Sequence, residues 1–269
     1  SMKRIIYSMM AAMALTSCSL FELDNYDAPS ETIYGSVTDV NTGAPVLTDQ
    51  GSEGIRVRLI ETSWEGNVTP QDFNCMADGT FRNTKLFEAD YNVRVDGPFI
   101  PIMLETEDGT VISNGTKDVH IKGKTEVNFQ VQPFLNVEFV GSPMVSGGKI
   151  TARVKVTRAT TRDEIRKAME PTGFWKESMA NVTDIQLFVS QSSSVGYRAR
   201  DNRWSSELTY SGQAFEKLLG TDVTIKSNGT LPSGRKVFVR AAARINFDTP
   251  VGSGTRRWNY SEPMEIDVP

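Results

Sequence analysis

Apolar and polar residues alternate one by one along many segments of the chain from residue 33 onward. The alternation is clearest in Ile55–Leu59, Tyr91–Val95, Val127–Val131, Ile150–Val156 and Val237–Ile245. In the last segment, Arg240 and Arg244 fall on the polar face. A repeat of two residues with one apolar face is typical of antiparallel strands that cover a core on one side. The pattern therefore predicts an all-β chain.

Short turn motifs separate these segments. Asp or Asn followed by Gly and Thr occurs at residues 78–80, 108–110, 114–116 and 228–230. Gly in such a motif accepts the positive φ of a tight hairpin turn, so each motif is expected to join two strands. One sandwich has about 100 residues, whereas the chain has 269. Two tandem antiparallel β-sandwiches are therefore predicted, at residues 32–132 and 133–269, with the boundary near Gln132-Pro133.

Two segments of the second half have helical patterns instead. Thr161 and Glu164 have the capping-box spacing that begins a helix, and Pro171 would end it. Residues 211–220 end in Gly220, which is typical of the C-terminus of a short helix. We therefore expect short helical insertions in the second sandwich.

The first 18 residues have the features of a bacterial lipoprotein leader. Two basic residues precede an apolar run, Ile5–Leu15, which is too short to cross a bilayer. The sequence Leu-Thr-Ser-Cys at residues 15–18 then has the form of a lipobox. We expect a signal peptide at residues 1–17, lipid attachment at Cys18 and a tether at residues 18–31. Loss of the two basic residues would take the formal net charge from −4 to −6, which argues against nucleic acid as a partner.

The first predicted sandwich begins with a sequence that resembles a known domain type. Tyr34–Asp39 followed by Asn41–Pro45 is similar to the G-x-V-x-D-x-x-T-G-x-P opening of carboxypeptidase regulatory-like (transthyretin-like) domains. The similarity continues through Asp78–Phe81 and Ala89–Val93, where Ala89 or Asp90 replaces the usual glycine. It spans roughly residues 32 to 132 and implies a β-sandwich there.

The last part of the chain resembles a second domain type. Val237–Ala243 and Tyr260–Val268 are similar to the final two strands of a fibronectin type III or other Ig-like sandwich. With the lipobox, the whole chain resembles two-domain outer-membrane lipoproteins of unknown function that accompany starch-utilisation-type glycan uptake systems. The resemblance implies a lipid-anchored protein of the outer membrane that faces the cell exterior. Its implied partners are a polysaccharide or oligosaccharide, an outer-membrane transporter and a partner surface lipoprotein.

Residues for catalysis are few. His120 is the one histidine of the chain, and strand parity places it on the solvent face between Val119 and Ile121. Cys75 is expected at a strand end and does not complete a metal-ligand set with His120. We therefore expect no enzyme activity, no metal and no cofactor. A pair of carboxylates for glycoside hydrolysis is formed in space, not in sequence, so a hydrolase stays an alternative.

Aromatic residues are the best guide to a ligand surface, because exposed rings stack on sugar faces while polar neighbours bind the hydroxyls. Trp204, Trp258 and Tyr260 share the phase of apolar strand positions, and we expect them to point into the core. The candidate glycan-binding residues are Phe174, Trp175, Tyr197, Arg198, Arg200 and Trp64. Phe174 and Trp175 follow the capped helix outside any strand, so a packing role for them is an equal alternative.

The predicted function is that of a non-catalytic cell-surface lipoprotein that binds a glycan for an uptake system. The alternative is a structural or docking module that contacts a transporter or a partner lipoprotein through a flat apolar patch. The fold alone favours neither function.

Overall fold

The computed structural model describes residues 27–249 and 256–269. The predicted signal peptide, Cys18 and most of the predicted tether lie outside these residues. The described residues form mainly strands, with one α-helix and three short 3-10 helices, which confirms the predicted all-β class. The α-helix is too short to cross a membrane.

The strands and helices follow one another in two groups. The first group is β1 (Glu31–Asp39), β2 (Arg56–Glu61), β3 (Gln71–Asn74), β4 (Thr80–Leu86), β5 (Ala89–Asp96), β6 (Met103–Glu105), β7 (Val111–Asn114), β8 (Lys117–Ile121), β9 (Lys124–Glu126) and β10 (Phe129–Val131). The strands of the second group are β11 (Leu135–Phe139), β12 (Met144–Ser146), β13 (Lys149–Arg158), β14 (Val182–Ser190), β15 (Ser206–Thr209), β16 (Asp222–Lys226), β17 (Arg235–Ile245), β18 (Asn259–Tyr260) and β19 (Met264–Val268). Its helices are α1 (Arg162–Met169) and the 3-10 helices Glu170–Thr172, Glu177–Ala180 and Glu216–Leu218.

The first group forms two sheets and a separate hairpin. One sheet has the order β3-β2-β5-β8 and is antiparallel throughout. In the other sheet β1 pairs with β4 in the antiparallel sense but runs parallel to β9 and β10. The prediction of a wholly antiparallel sandwich is therefore wrong at β9 and β10. Alternating residues such as Val57, Val93 and Ile33 are buried together in one core, and β6 and β7 form a hairpin of their own.

The second group also forms two sheets, both antiparallel. The first has the order β11-β13-β12, with β16 also on β13, and the second has the order β15-β14-β17-β18, with β19 also on β17. Trp204 is buried in the core of this group, as predicted. Ile100 and Leu104 belong to the same core although they precede residue 132. The division of the chain at Gln132-Pro133 stays a prediction.

The capping box predicted at the start of the helical insertion is present. The Thr161 hydroxyl accepts the Glu164 N–H at 3.1 Å, and the Glu164 carboxylate accepts the Thr161 N–H at 2.8 Å. Residues 211–220 form turns and the 3-10 helix Glu216–Leu218, so a short helical insertion is present there as well.

Three of the four predicted turn glycines have a positive φ: Gly79 at 81°, Gly109 at 84° and Gly229 at 58°. Gly115 does not have a positive φ. A tight hairpin joins two strands that pair with each other, and among the four motifs only the one at 108–110 does so, between β6 and β7. The strands that flank the motifs at 78–80, 114–116 and 228–230 lie in different sheets, so the prediction of a hairpin turn is wrong at these three positions.

A third apolar cluster covers the outer face of the second sheet of the second group. Phe188, Trp258 and Tyr260 form its centre, and the Trp258 ring lies edge-on to Phe188 with centroids 5.8 Å apart. Trp258 and Tyr260 are buried, as expected, but they do not point into the core between the two sheets. Leu47 of the first group packs on this cluster, so these rings are buried by contact between the two groups.

Two buried arginines of the second group bind backbone carbonyls of the first. Arg240 is 1% exposed, and its Nη1 donates to the Thr48 carbonyl at 2.7 Å. Arg257 donates to the carbonyls of Ser52, at 2.7 Å, and Gly54. The expected solvent-facing position of Arg240 is therefore wrong, because the loop after β1 covers that face. These bonds hold the first and the second group of strands, called the first and the second sandwich from here on, in one relative orientation.

Candidate functional site

A cleft of about 550 Å³ lies where the β6–β7 hairpin faces the end of α1 and the segment after β17. Its volume is in the range of about 300–1,000 Å³ that is typical of small-ligand sites. The apolar part of the lining includes Met103, Leu104, Met169, Met179 and Phe247. The polar part includes Glu105, Thr106, Asn246, Asp248 and Arg256. Both sandwiches contribute, so their fixed orientation also fixes the shape of the cleft.

Phe174 presents an aromatic ring to this cleft and is 56% exposed. The backbone before it explains that position. Pro171 lies in the 3-10 helix after α1, and Gly173 then takes a left-handed φ of 82°, which turns the chain away from the helix. The Thr172 hydroxyl accepts the Phe174 N–H at 3.2 Å and donates to the Met169 carbonyl at 2.6 Å. The ring is therefore held at the surface by a defined turn.

Polar side chains from the strand end after β17 complete the cleft. Asn246 and Asp248 are exposed, and Phe247 between them packs edge-on against Phe134 with ring centroids 5.9 Å apart. The Arg256 Nη1 donates to the Thr183 hydroxyl at 3.2 Å, which orients the guanidinium group. The site thus combines an amide, a carboxylate and a guanidinium group with an exposed ring. These groups can donate to and accept from several hydroxyls at once.

Trp175 does not share the exposed position of its neighbour. Its side chain is partly buried and packs on the core of the second sandwich, together with residues such as Tyr210 and Leu218. Of the two roles considered for this residue, the packing role agrees with its position. The Trp175 Nε1 atom is buried and has no hydrogen-bond partner among the described residues.

Tyr197, Arg198 and Arg200 lie elsewhere on the second sandwich. The Tyr197 ring packs edge-on to Phe188, with centroids 6.2 Å apart, and the Arg200 guanidinium lies 3.9 Å from the centre of the Tyr197 ring. Tyr197 and Arg200 line a separate polar cleft of about 390 Å³. Arg198 instead contacts the first sandwich, where its Nη1 donates to Ser52 Oγ at 3.0 Å. The predicted platform that would combine them with Phe174 is therefore divided between separate surfaces.

Trp64 is the most exposed of the candidate rings, at 72%, and it belongs to the first sandwich. It follows the end of β2 and does not line the cleft that contains Phe174. The six candidate residues therefore do not form one site.

Among the described residues, His120 and Cys75 lie outside the cleft, whereas the carboxylates of Glu105 and Asp248 line it. His120 is on the solvent face, as predicted, with Nδ1 2.7 Å from an Asp90 carboxylate oxygen, and this hydrogen bond raises the pKa of the imidazole. Cys75 follows β3, as predicted, and burial raises the pKa of its thiol to about 12, so it is not ionised near neutral pH. In residues 27–249 and 256–269, no group of three or more His, Cys, Asp or Glu residues is placed to hold a metal ion.

The sequence matches a family model over residues 31–132, described as the N-terminal domain of a protein of unknown function, DUF3823. A solved DUF3823 family protein from Bacteroides uniformis is 64% identical, with a TM-score of 0.87, over 90% of this chain and all of that one. The chain belongs to the DUF3823 family. No curated protein matches this sequence.

Two more distant structures have the same fold. One, from Parabacteroides merdae, is itself a DUF3823 family protein, with 17% identity and a TM-score of 0.59 over 90% of this chain and all of that one. The other, from Bacteroides uniformis, is described as a proposed carbohydrate binding protein, with 20% identity and a TM-score of 0.60 over 89% of this chain and all of that one.

Sequence reasoning found Phe174 but missed the polar residues of the cleft in this DUF3823 protein. Asn246 and Asp248 directly follow the alternating segment that ends at Ile245. Residues just beyond a long strand are a common place for binding groups, because loops held by a rigid scaffold carry function. The position of Asn246 and Asp248 after a long strand could therefore have indicated a binding role. The position of Glu105 and Thr106 at the cleft depends on tertiary structure alone.

Proposed function

We propose that this DUF3823 protein is a non-catalytic, lipid-anchored protein of the cell surface that binds a carbohydrate in the cleft containing Phe174. The observation that carries the proposal is the combination, in one cleft, of an exposed ring and several exposed polar groups. Phe174 offers its face to the C–H groups of a sugar ring. Asn246, Asp248 and Arg256 offer donors and acceptors for its hydroxyls.

Two further observations support this proposal. The cleft has the size of a small-ligand site, and its walls are mostly apolar with a few polar groups, as is usual for such sites. A structure with the same fold, at 20% identity, is described as a proposed carbohydrate binding protein. Attachment of lipid to Cys18 would place the protein at the outer membrane, where glycans outside the cell are available to it.

A screen for polysaccharide binding tests the proposal. Native electrophoresis is run in gels that contain amylopectin, dextran, xyloglucan, xylan, mannan or pectic galactan, with an empty gel and an inert protein as references. We expect at least one polymer to retard the protein, and we expect the change Phe174→Ala to remove most of that retardation. Met144→Ala is the matched control, because Met144 is an apolar residue of the second sandwich that is 73% exposed and does not line the cleft.

The same screen separates carbohydrate binding from the alternative of a docking module. A docking module would show no retardation by any polymer, and Phe174→Ala would instead weaken association with a transporter or a partner lipoprotein. Retardation that is identical for the wild type and Phe174→Ala would assign carbohydrate binding to another surface.

A further inference from the structure

The end of the first sandwich that lies farthest from the second carries a large exposed ring. Trp64, 72% exposed, follows β2, whose last residue, Glu61, pairs with Tyr91 near the start of β5. The other end of β5, at Asp96, leads to Pro98, whose carbonyl contacts the second sandwich. The eight residues of β5 span about 25 Å at about 3.3 Å per residue. Trp64 is therefore remote from the cleft that contains Phe174.

The Trp64 ring is held in place before any ligand arrives. Its Nε1 donates to the Glu61 carboxylate at 2.7 Å. Two hydrogen bonds tie the start of the loop to Asp90 of β5: the Thr62 N–H donates to the Asp90 carbonyl at 2.8 Å, and the Asp90 N–H donates to Ser63 Oγ at 2.9 Å. A side chain that is ordered in advance loses less conformational entropy on binding. An exposed ring with this much restraint is suited to stacking on a flat ligand.

Exposed polar groups lie on or beside β5 and β8 at the same end of the sheet, on the face opposite the Glu61 side chain, which is paired with the buried Tyr91. The His120 imidazole contacts Asp90 at 2.7 Å and Glu88 at 3.2 Å, and the Lys122 Nζ lies 3.3 Å from the same Glu88 oxygen. Each carboxylate has room for about four hydrogen bonds, so both can accept further donors such as sugar hydroxyls. At this end of the sheet, three carboxylates including Glu61 accompany one lysine and one histidine, and this excess of negative charge disfavours an anionic ligand or an anionic membrane.

We infer that Trp64 with Glu61, here called the Trp64 surface, is a second carbohydrate contact for a long neutral polysaccharide. The inference rests on the proposed function of the cleft. The buried bonds of Arg240 and Arg257 hold the two sandwiches in one orientation, so the distance between the two contacts is fixed. One polymer chain that touches both contacts binds more tightly than either contact alone, because the second contact is intramolecular. A trisaccharide is too short to reach both.

Polymers and their trisaccharides distinguish the two contacts. The full chain and its variant Trp64→Ala are measured by affinity electrophoresis with amylopectin, dextran and xylan, and by calorimetry with maltotriose, isomaltotriose and xylotriose. We expect Trp64→Ala to weaken polymer binding by about 5–30-fold and to leave trisaccharide binding in the cleft unchanged. Trp64→Phe keeps a ring and should retain most of the polymer affinity. Met144→Ala should match the wild type in both measurements.

Each outcome assigns a result to one contact. If Phe174→Ala weakens binding of both polymer and trisaccharide while Trp64→Ala changes neither, the inference is overturned and the proposed function stands. If Trp64→Ala weakens polymer binding and Phe174→Ala does not, the Trp64 surface is supported and the cleft is refuted. If no polymer binds, both fail. A fourth outcome is that the wild type binds phosphatidylcholine vesicles, that Trp64→Ala does not, and that both bind polymer equally. In that case the Trp64 surface contacts lipid and the inference is wrong.

Discussion

Arg240→Ala should destabilise the whole protein, because this one side chain joins the two sandwiches from inside their contact. The Arg240 Nε donates to the Ser261 carbonyl at 2.7 Å, and Nη1 donates to the Thr48 carbonyl at 2.7 Å. A longer bond of 3.4 Å connects Nη2 to the Ala77 carbonyl. The guanidinium also lies 4.4 Å from the centre of the Tyr260 ring. Alanine would leave these carbonyls without their donor in a space that water cannot easily enter.

The expected loss follows from these contacts. A hydrogen bond from a charged group contributes about 1.5–3 kcal/mol, so the two short bonds together account for roughly 3–6 kcal/mol. Burial of the charge offsets part of this gain, and it also lowers the pKa of Arg240. We therefore expect a net loss of about 2–4 kcal/mol in the free energy of unfolding. Arg240→Lys should lose most of this amount as well, because one ammonium group cannot reproduce the planar set of donors.

Urea denaturation at pH 7, followed by circular dichroism and by tryptophan fluorescence, measures this loss. Arg235→Ala is the matched control, since Arg235 lies on the same strand and is exposed. Its effect should stay within about 0.5 kcal/mol. A variant Arg240→Ala within 1 kcal/mol of the wild type would refute the idea that the buried arginine fixes the contact between the sandwiches.

Three further predictions concern single residues. Trp175→Ala should cost about 2–4 kcal/mol of stability, because the ring packs on the core of the second sandwich. Trp64→Ala is the control and should leave urea denaturation unchanged. Equal stability of Trp175→Ala and the wild type would contradict the packing role. Burial raises the pKa of Asp96 to about 6, whereas the pKa of an aspartate in an unfolded chain is about 3.9. Between pH 6 and pH 4, therefore, the folded state binds a proton at Asp96 that the unfolded state does not. The free energy of unfolding of the wild type relative to that of Asp96→Asn should therefore rise by about 2–3 kcal/mol as the pH falls from 7 to 4. A difference in free energy that does not change with pH would contradict a raised pKa at Asp96. Cys18→Ala should abolish labelling by a fatty-acid analogue and partitioning into detergent, and a variant that is still labelled would exclude Cys18 as the lipid site.

Local sequence patterns predicted most of the strands because a strand with one buried face has apolar and polar residues in alternation. Val237, Val239 and Ala241 are buried as their alternation requires. Trp204 is buried as well, although it lies in the turn before β15 and not in a strand. Parity alone could not separate a face that meets solvent from a face that meets another sandwich. Arg240 therefore looked exposed, and Tyr260 looked as if it pointed between the sheets.

The candidate site was predictable only in part, for a related reason. Phe174 was accessible to sequence reasoning because a capped helix, a proline and a glycine define the turn that exposes it. The predicted grouping of Phe174 with Tyr197 does not occur, because the two residues lie in different connections of the second sandwich and line different clefts. The contribution of Glu105 depends on how the two sandwiches are oriented, which is set by buried arginine–carbonyl bonds that leave no local pattern.

The affinity of Phe174→Ala for a trisaccharide is the most direct test of carbohydrate binding in the cleft. Isothermal titration compares wild type, Phe174→Ala and Met144→Ala with the trisaccharide of whichever polymer retards the protein. Loss of the stacking ring should weaken binding by about 5–30-fold, equivalent to about 1–2 kcal/mol. The melting temperature should stay unchanged because the ring is 56% exposed. Equal affinities of the three proteins would contradict the assignment of the cleft as the carbohydrate site.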